Sequence, residues 1–286
     1  MTYSIVARDS ETGDLGVAVQ TRFFAVGQTV PWARPGVGAV ATQAFADRRY
    51  GALGIELLAA GRSPADALAE LTAADREAGV RQVGVVSADG RAAAHTGADC
   101  VPAAGHVTGD GFSVQANMMR SEDVWPAMAE AFTASQGRLA WRLLAALDAA
   151  EAAGGDFRGR QSAALLVVRG EASERPWDDK LLELRVDEHA EPLVELRRLL
   201  ELAEGYRAAL ELREGEPSPE ALAALRRLPA LDLRWGEIFG SLRAGDVDRA
   251  RELVRPLFES EPRWRGYVAS LAARGVLPHA DELLRE

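Results

Sequence analysis

The chain has 286 residues, of which 48% are hydrophobic, and carries a formal net charge of −10 at pH 7. This length predicts one large domain or two smaller ones, with a core that needs neither a disulfide nor a structural metal. The acidic balance lacks the basic footprint of a nucleic-acid-binding protein, so no nucleic-acid partner is expected.

The numbers of cysteine and histidine residues limit which disulfides and metal sites the chain can form. Cys100 is the only cysteine, which excludes an intramolecular disulfide. The four histidines, His95, His106, His189 and His279, do not form a metal-binding spacing, so we expect neither a metal nor a cofactor. No apolar run reaches the roughly 18 residues of a membrane span, and the N-terminus lacks the pattern of a signal peptide. A cytoplasmic protein is expected.

The first 190 residues are predicted to alternate short strands with pairs of helices. Runs of β-forming residues bounded by turn-forming residues predict strands, and apolar residues at helical spacing predict helices. The predicted strands are 3–7, 15–20, 37–43, 80–87, 91–96, 105–108, 112–118, 162–169 and 182–186, and the predicted helices are 50–60, 64–74, 121–134 and 137–153. This order favours an α+β fold, in which helices cover a pair of antiparallel sheets, over a Rossmann sheet. The sequence has no GxGxxG motif and no P-loop.

After about residue 191 the pattern predicts helices alone. They are 192–212, 220–228, 233–244, 247–260 and 263–274, with a break at 215–219. Residues 1–205 are therefore assigned to one domain and 206–286 to a small all-α domain, with part of its sequence, 242–262, resembling a tetratricopeptide-type repeat. The aromatic and leucine residues expected in its core are Trp235, Phe239, Leu242, Leu253, Leu257, Trp264, Tyr267 and Leu271.

Thr2 is the most informative candidate for chemistry. Removal of Met1 would leave a threonine hydroxyl and a free α-amine on one residue. The amine has an ordinary pKa of about 7.7–8.0, so part of it is neutral at pH 7 and can accept the hydroxyl proton. This arrangement needs neither a histidine nor a metal. The alternative is that a small residue after Met1 has no function.

Two serines compete with Thr2 as the nucleophile. Ser4 and Ser162 both lie in predicted strands and have no adjacent amine. The sequence also lacks the GxSxG elbow of serine hydrolases. Cys100 is expected to be a buried small apolar residue. Thr2 is therefore the preferred nucleophile.

Long motifs in the first 200 residues resemble domain-of-unknown-function family 1028. The motifs are 1–9, 16–19, 22–27, 30–33, 36–44, 50–51, 115–118 and 159–165. This family is placed in the N-terminal nucleophile (Ntn) hydrolase superfamily. The resemblance implies a four-layer αββα sandwich and cleavage of amide bonds.

The resemblance and the predicted strand ends together give a set of candidate site residues. Asn117 ends a strand and is expected to donate to the oxyanion of a tetrahedral intermediate, or else to make a strand-end hydrogen bond. Arg22 would hold a substrate carboxylate or orient the α-amine, or else form a surface ion pair. Gln43 and Gln161 are polar residues in apolar strands, which would line the cleft or be satisfied buried amides.

Asp47 and His106 are weaker candidates for substrate binding, and His106 has a structural role as its alternative.

With Thr2, Arg22 and Asn117 as catalytic residues, the sequence predicts an amidohydrolase acting on a small or peptide-like substrate. The alternative is a catalytically silent αββα domain that binds a ligand or scaffolds an assembly. Many members of the family that the chain resembles carry a peptidoglycan-binding module after this domain, but residues 206–286 lack the pattern expected of it. These helices are instead expected to bind a protein partner or form a homo-oligomer.

Overall fold

The computed structural model describes residues 2–211 and 219–285. The chain divides into two compact units, residues 1–200 and residues 201–286. The first unit is a mixed α/β structure with two antiparallel sheets, and the described part of the second unit is helical. Met1 and residues 215–218 of the predicted break lie outside the described residues.

Ten strands are present in the described residues. They are β1 (Thr2–Arg8), β2 (Leu15–Thr21), β3 (Pro31–Arg34), β4 (Gly38–Ala44), β5 (Arg81–Ser87), β6 (Ala92–Thr96), β7 (Gly105–Gly109), β8 (Phe112–Asn117), β9 (Ser162–Val168) and β10 (Lys180–Val186). One sheet has the order β10-β9-β2-β1-β8-β7, and the other has the order β3-β4-β5-β6. All the pairings between these strands are antiparallel.

Nine α-helices are present in the same described residues. They are α1 (Arg48–Ala59), α2 (Pro64–Ala74), α3 (Val124–Ala134), α4 (Leu139–Ala152), α5 (Pro192–Glu211), α6 (Pro219–Leu225), α7 (Ala230–Arg243), α8 (Val247–Ser260) and α9 (Arg263–Ala273). The predicted start of α2 is confirmed, because the hydroxyl of Ser63 accepts the backbone N–H of Asp66 and Pro64 occupies the first turn.

The two sheets of the first unit pack face to face, with helices on their outer faces. β1 contacts β4 and β5 of the other sheet, while α1 and α2 lie against the four-stranded sheet and α3 and α4 against the six-stranded sheet. One apolar cluster fills the space between the six-stranded sheet and its helices, and a second lies between the sheets. The predicted pair of antiparallel sheets covered by helices is confirmed.

β1 is the central strand that separates these two clusters. Its odd-numbered residues Tyr3 and Ile5 belong to the helix-side cluster, whereas Val6 belongs to the cluster between the sheets. Because side chains alternate along a strand, Thr2 and Ser4 share the face of Val6 and point toward the second sheet. The first residue of β1 therefore brings a hydroxyl to one end of the space between the sheets.

β3 is a strand that the sequence did not predict. It has only four residues, begins with a proline and lies at the edge of its sheet. Short edge strands that contain proline give little β-forming signal, since the missing N–H excludes them from the interior of a sheet. In the structure Pro31 pairs with Ala41 and Trp32 with Val40.

The described helices α7, α8 and α9 of the second unit surround a core of their own. Seven of the eight predicted core residues belong to it or pack against it. Tyr267 is the exception, with 48% of its surface exposed. Its ring still meets Trp235 and Trp264 edge-on, at centroid distances of 5.5 and 5.7 Å. None of the helices in the described residues is both long and apolar enough to cross a membrane.

Candidate functional site

A pocket of about 520 Å³ opens at the end of the sheets where β1 begins. Its polar lining residues are Thr2, Thr21, Thr29, Gln43, Arg81, Asn117 and Arg158. Its apolar lining residues are Phe23, Val26, Val30, Ala44, Phe45, Ala46, Val101 and Met118. The pocket thus contains three predicted site residues, one from each of β1, β4 and β8.

Strand register brings the polar groups to this end of the sheet. Thr2 lies opposite Thr21 of β2 on one side and opposite Asn117 of β8 on the other. Thr2 is only 5% exposed, and its hydroxyl donates to Thr21 Oγ1 at 3.1 Å. Thr2 therefore lines the pocket while a neighbouring hydroxyl restrains the rotation of its side chain.

Two buried amides hold the main chain of Thr2. Its carbonyl oxygen accepts Gln43 Nε2 at 3.1 Å and Asn117 Nδ2 at 3.3 Å. Both of these amide nitrogens also donate to Gln82 Oε1, at 2.7 and 2.8 Å. Gln82 lies on β5 directly opposite Gln43 and is fully buried. Side chains from both sheets therefore fix the position of the candidate nucleophile.

Gln82 was not a predicted site residue, although its signal was in the sequence. It is a polar residue in an otherwise apolar strand, which is the pattern that indicated Gln43 and Gln161. Its amide nitrogen donates to Thr96 Oγ1 at 2.9 Å, Ala116 O at 2.9 Å and Gly105 O at 3.1 Å. Its two amide atoms thus link β5 to β6, β7 and β8 and to Gln43 of β4.

Ser4, the competing nucleophile, lies deeper in the same network. Its Oγ donates to Gln43 Oε1 at 2.6 Å and accepts Gln115 Nε2 at 2.6 Å. Ser4 is completely buried and does not line the pocket. Gly84 makes room for the Gln115 amide, because a Cβ at Gly84 would lie 2.1 Å from Gln115 Oε1. The hydroxyl of Ser4 is thus committed to the network between the sheets.

Ser162 also has a structural environment. Its Oγ donates to the Phe23 carbonyl at 2.5 Å and accepts the Val26 backbone N–H at 3.1 Å. Both partners belong to the segment after β2 that lines the pocket. Ser162 therefore fixes the backbone of the segment that contributes Phe23 and Val26 to the pocket.

Three residues with positive φ lie beside the pocket. Ala44 (φ 69°) and Met118 (φ 61°) line it, and Ala25 (φ 54°) directly precedes the lining residue Val26. Side chains disfavour this conformation by about 1–3 kcal/mol per residue, and such strain is concentrated at functional sites. Backbone hydrogen bonds from Ala25 N–H to Asp187 O at 2.9 Å and from Met118 N–H to Val101 O at 3.1 Å fix two of these residues.

Arg81 and Arg158 are the charged residues of the lining, and both form ion pairs. Arg81 contacts Asp75 at 2.9 Å and Glu77 at 2.8 Å, and it also donates to the Phe45 carbonyl at 2.6 Å. The hydrogen bond from Arg81 holds the pKa of Asp75 at about 2, below its ordinary value of 3.8. Arg158 pairs with the Asp156 carboxylate at 2.9 Å.

Arg22 and Gln161 lie close to each other but do not line the pocket. The exposed Arg22 guanidinium donates to Gln161 Oε1. The backbone N–H of Arg22 donates to Asp156 Oδ2 at 3.2 Å, and the same carboxylate pairs with the lining residue Arg158. The roles predicted for these two side chains stay predictions.

Asp47 and His106 also lie outside the pocket lining. Asp47 caps α1 by accepting the Arg49 backbone N–H, and the hydrogen bond from the Arg49 side chain lowers the Asp47 pKa. His106 lies on β7, where its Nδ1 is 2.8 Å from Thr96 Oγ1. Desolvation of the ring, aided by the charge of His95, lowers the His106 pKa.

Cys100 is buried, as predicted, and its Sγ donates to the Arg81 carbonyl at 3.4 Å. Burial raises the pKa of its thiol, which disfavours the reactive thiolate. Across residues 2–211 and 219–285, no group of three or more histidine, cysteine or carboxylate side chains is placed to hold a metal ion.

Comparison with known proteins agrees with this architecture. The model of DUF1028, a family of unknown function, matches residues 2–196, and the chain belongs to this family. A similar solved structure is that of protein SPO2555 from Silicibacter pomeroyi, which carries the same family label. It is 35% identical with a TM-score of 0.63, and the match covers 70% of this chain and 87% of that one. A search of curated proteins found no significant match.

Proposed function

We propose that the chain is an Ntn-type amidohydrolase with a four-layer αββα sandwich and with Thr2 as its nucleophile. The observation that carries this proposal is the position of the Thr2 hydroxyl at the start of β1. Thr2 lines the pocket, while Gln43 and Asn117 hold the carbonyl of the same residue. A nucleophile needs this combination of access and restraint.

The proposed reaction starts after Met1 is removed. The neutral α-amine of Thr2 takes the hydroxyl proton, directly or through water, as Oγ1 attacks the carbonyl carbon of the amide. The resulting ammonium group then gives a proton to the leaving nitrogen as the carbon–nitrogen bond breaks. In the second half water attacks the acyl-enzyme ester and gives one proton to the amine. As the ester carbon–oxygen bond breaks, the ammonium group returns that proton to Thr2 Oγ1 and the carboxylic acid leaves.

Asn117 has two proposed roles in this scheme. In the structure its amide nitrogen donates to the Thr2 carbonyl and to Gln82. Stabilisation of the oxyanion by this side chain would therefore require one of these bonds to be exchanged for a bond to the substrate, with backbone amides contributing the rest. In the resting site Asn117 acts as a positioning residue.

The direct test compares Thr2→Ala and Thr2→Ser with the unmodified protein on a library of simple amides. Thr2→Ala should lose turnover while keeping its thermal unfolding curve, and Thr2→Ser should retain part of the activity because it keeps an oxygen nucleophile. Thr133→Ala serves as the control hydroxyl deletion, because Thr133 is exposed and does not line the pocket. Full activity in Thr2→Ala would overturn the assignment.

A silent ligand-binding domain is the second candidate, and the state of Asn117 favours it. Both amide protons of this residue have protein acceptors, so no side-chain donor is reserved for an oxyanion. Intact-mass spectrometry separates the candidates first. Retention of Met1 in the purified protein favours ligand binding, whereas a mass that begins at Thr2 favours hydrolysis.

We also propose that the helical second unit joins this domain to a second copy or to another protein, inside the cytoplasm. The unit leaves several large apolar side chains exposed: Leu210, Leu222, Leu231, Tyr267 and Val276. Surfaces of this kind are favoured for association when the residues lie together. Truncation after residue 206 should reduce the number of subunits in the assembly. The mass measured by light scattering should then fall by more than the mass of the deleted residues. An unchanged number of subunits and unchanged partner binding would reject this role.

A further inference from the structure

The surface of the pocket beside Thr2 is mainly apolar. Val26, Val30, Val101 and Met118 line it together with the side chains of Phe23 and Phe45. The two phenylalanines are 64% and 62% exposed, so each leaves much of its apolar surface in water. A ligand that covered these rings would gain the free energy of removing that surface from water.

Hydrogen bonds fix the backbone at Phe23 and Phe45. The carbonyl of Phe23 accepts the buried Ser162 hydroxyl, and the carbonyl of Phe45 accepts Arg81 Nη1 at 2.6 Å. The Phe45 N–H also donates to Val80 O at 3.3 Å. A ligand therefore meets rings whose backbone positions are set beforehand, which lowers the entropic cost of binding.

The charges of the lining are already neutralised within the protein. Arg81 pairs with Asp75 and Glu77, and Arg158 pairs with Asp156. Among the described residues that line the pocket there is no carboxylate to receive a cationic group. An ion entering this site would lose hydration without gaining an unpaired countercharge, which is unfavourable.

From these observations, and resting on the function proposed above, we infer that the substrate is an uncharged amide with an apolar acyl group. The acyl chain or aryl ring fills the pocket between Phe23 and Phe45, and the amide carbonyl lies at the Thr2 hydroxyl. A volume of about 520 Å³ is within the range of small-molecule sites.

The test measures equilibrium binding to Thr2→Ala, which removes chemistry from the readout. The neutral probes are butanamide, hexanamide, octanamide and phenylacetamide, and the charged probes are succinamate and 4-aminobutanamide. The Kd should fall about fourfold for each added methylene group until the pocket is filled. Both charged probes should bind about tenfold more weakly than butanamide. Equal affinity of a charged probe, or affinity independent of chain length, would overturn the inference.

A matched pair of variants locates the apolar binding. Phe45→Ala should weaken octanamide binding about fivefold, because the alkyl chain loses the apolar surface that it buries against the Phe45 ring. Phe24→Ala is the control, because Phe24 is also exposed but does not line the pocket. Equal effects of the two substitutions would place the apolar chain elsewhere.

Ammonia release by the unmodified protein tests the hydrolase proposal separately. An affinity gradient without ammonia release would reject the chemistry and keep the apolar selectivity. Ammonia release without a gradient would reject this inference and keep the chemistry.

Discussion

Gln82→Met tests whether one buried amide holds the candidate site together. Methionine keeps the length and approximate volume of the side chain but removes both the donor and the acceptor. Gln43 Nε2 and Asn117 Nδ2 would each lose an acceptor, at present 2.7 and 2.8 Å away. Gln43 Nε2 keeps two acceptors, Thr2 O at 3.1 Å and Gln115 O at 3.2 Å, whereas Asn117 Nδ2 keeps only Thr2 O. One buried N–H is therefore left unsatisfied, which predicts a loss of about 1–3 kcal/mol in the free energy of unfolding.

Urea denaturation followed by circular dichroism measures this loss. A domain of this size should also unfold about 2–4 °C lower for each kcal/mol lost, which gives a second readout. Gln136→Met is the matched control, because Gln136 is exposed and its substitution should change stability by less than about 0.5 kcal/mol. A loss below about 1 kcal/mol for Gln82→Met would refute the argument that this amide holds Gln43 and Asn117.

Two further predictions concern the same end of the sheets. Gly84→Ala places a Cβ where Gln115 Oε1 now lies 2.1 Å away, so the amide network must shift. Calorimetry should show a loss of about 1–3 kcal/mol, and an unchanged melting temperature would contradict the packing described. Asp75 has its pKa held at about 2 by Arg81, below the ordinary 3.8, so its stabilisation is present above pH 3.8 and is lost as pH falls toward 2. The stability difference between the unmodified protein and Asp75→Asn should shrink across that window, and a constant difference would contradict it.

Much of the fold could be predicted because its signals are local. The first hairpin follows from two β-forming runs with turn-forming residues between them, and α2 from Ser63 followed by Pro64. β3 could not be predicted, because a four-residue edge strand that starts with proline owes its pairing to β4 rather than to its own composition.

The site was predictable only in part, because it depends on the register between strands. Thr2 and Asn117 were recognised as strand-end residues, and they lie opposite each other. Thr21 was missed because nothing in its local segment indicates which residue it faces across the sheet. Gln82 carries the same signal as Gln43, a polar residue in an apolar strand, but the sequence does not show that the two pair. Arg22 was predicted from its position after β2, but its side chain turns outward to Gln161.

Polar residues in apolar strands gave the most useful signal that the sequence offers for this network. That signal indicated Gln43, which lies at its centre, and it applies equally to Gln82 and Gln115. This signal does not distinguish a side chain that lines the pocket from a buried amide whose hydrogen bonds are satisfied. The distinction depends on which side chains of the opposite sheet lie next to the residue. Gln43 is both, since it lines the pocket and holds Thr2.

The most direct measurement of the central claim compares two forms of the protein that differ only at the N-terminus. One form is released from a cleavable fusion to begin at Thr2, and the other keeps Met1. With both at equal concentration and equal thermal stability, hydrolysis of an accepted amide should occur only in the form with a free Thr2 α-amine. Equal rates in the two forms would contradict the proposed role of that amine.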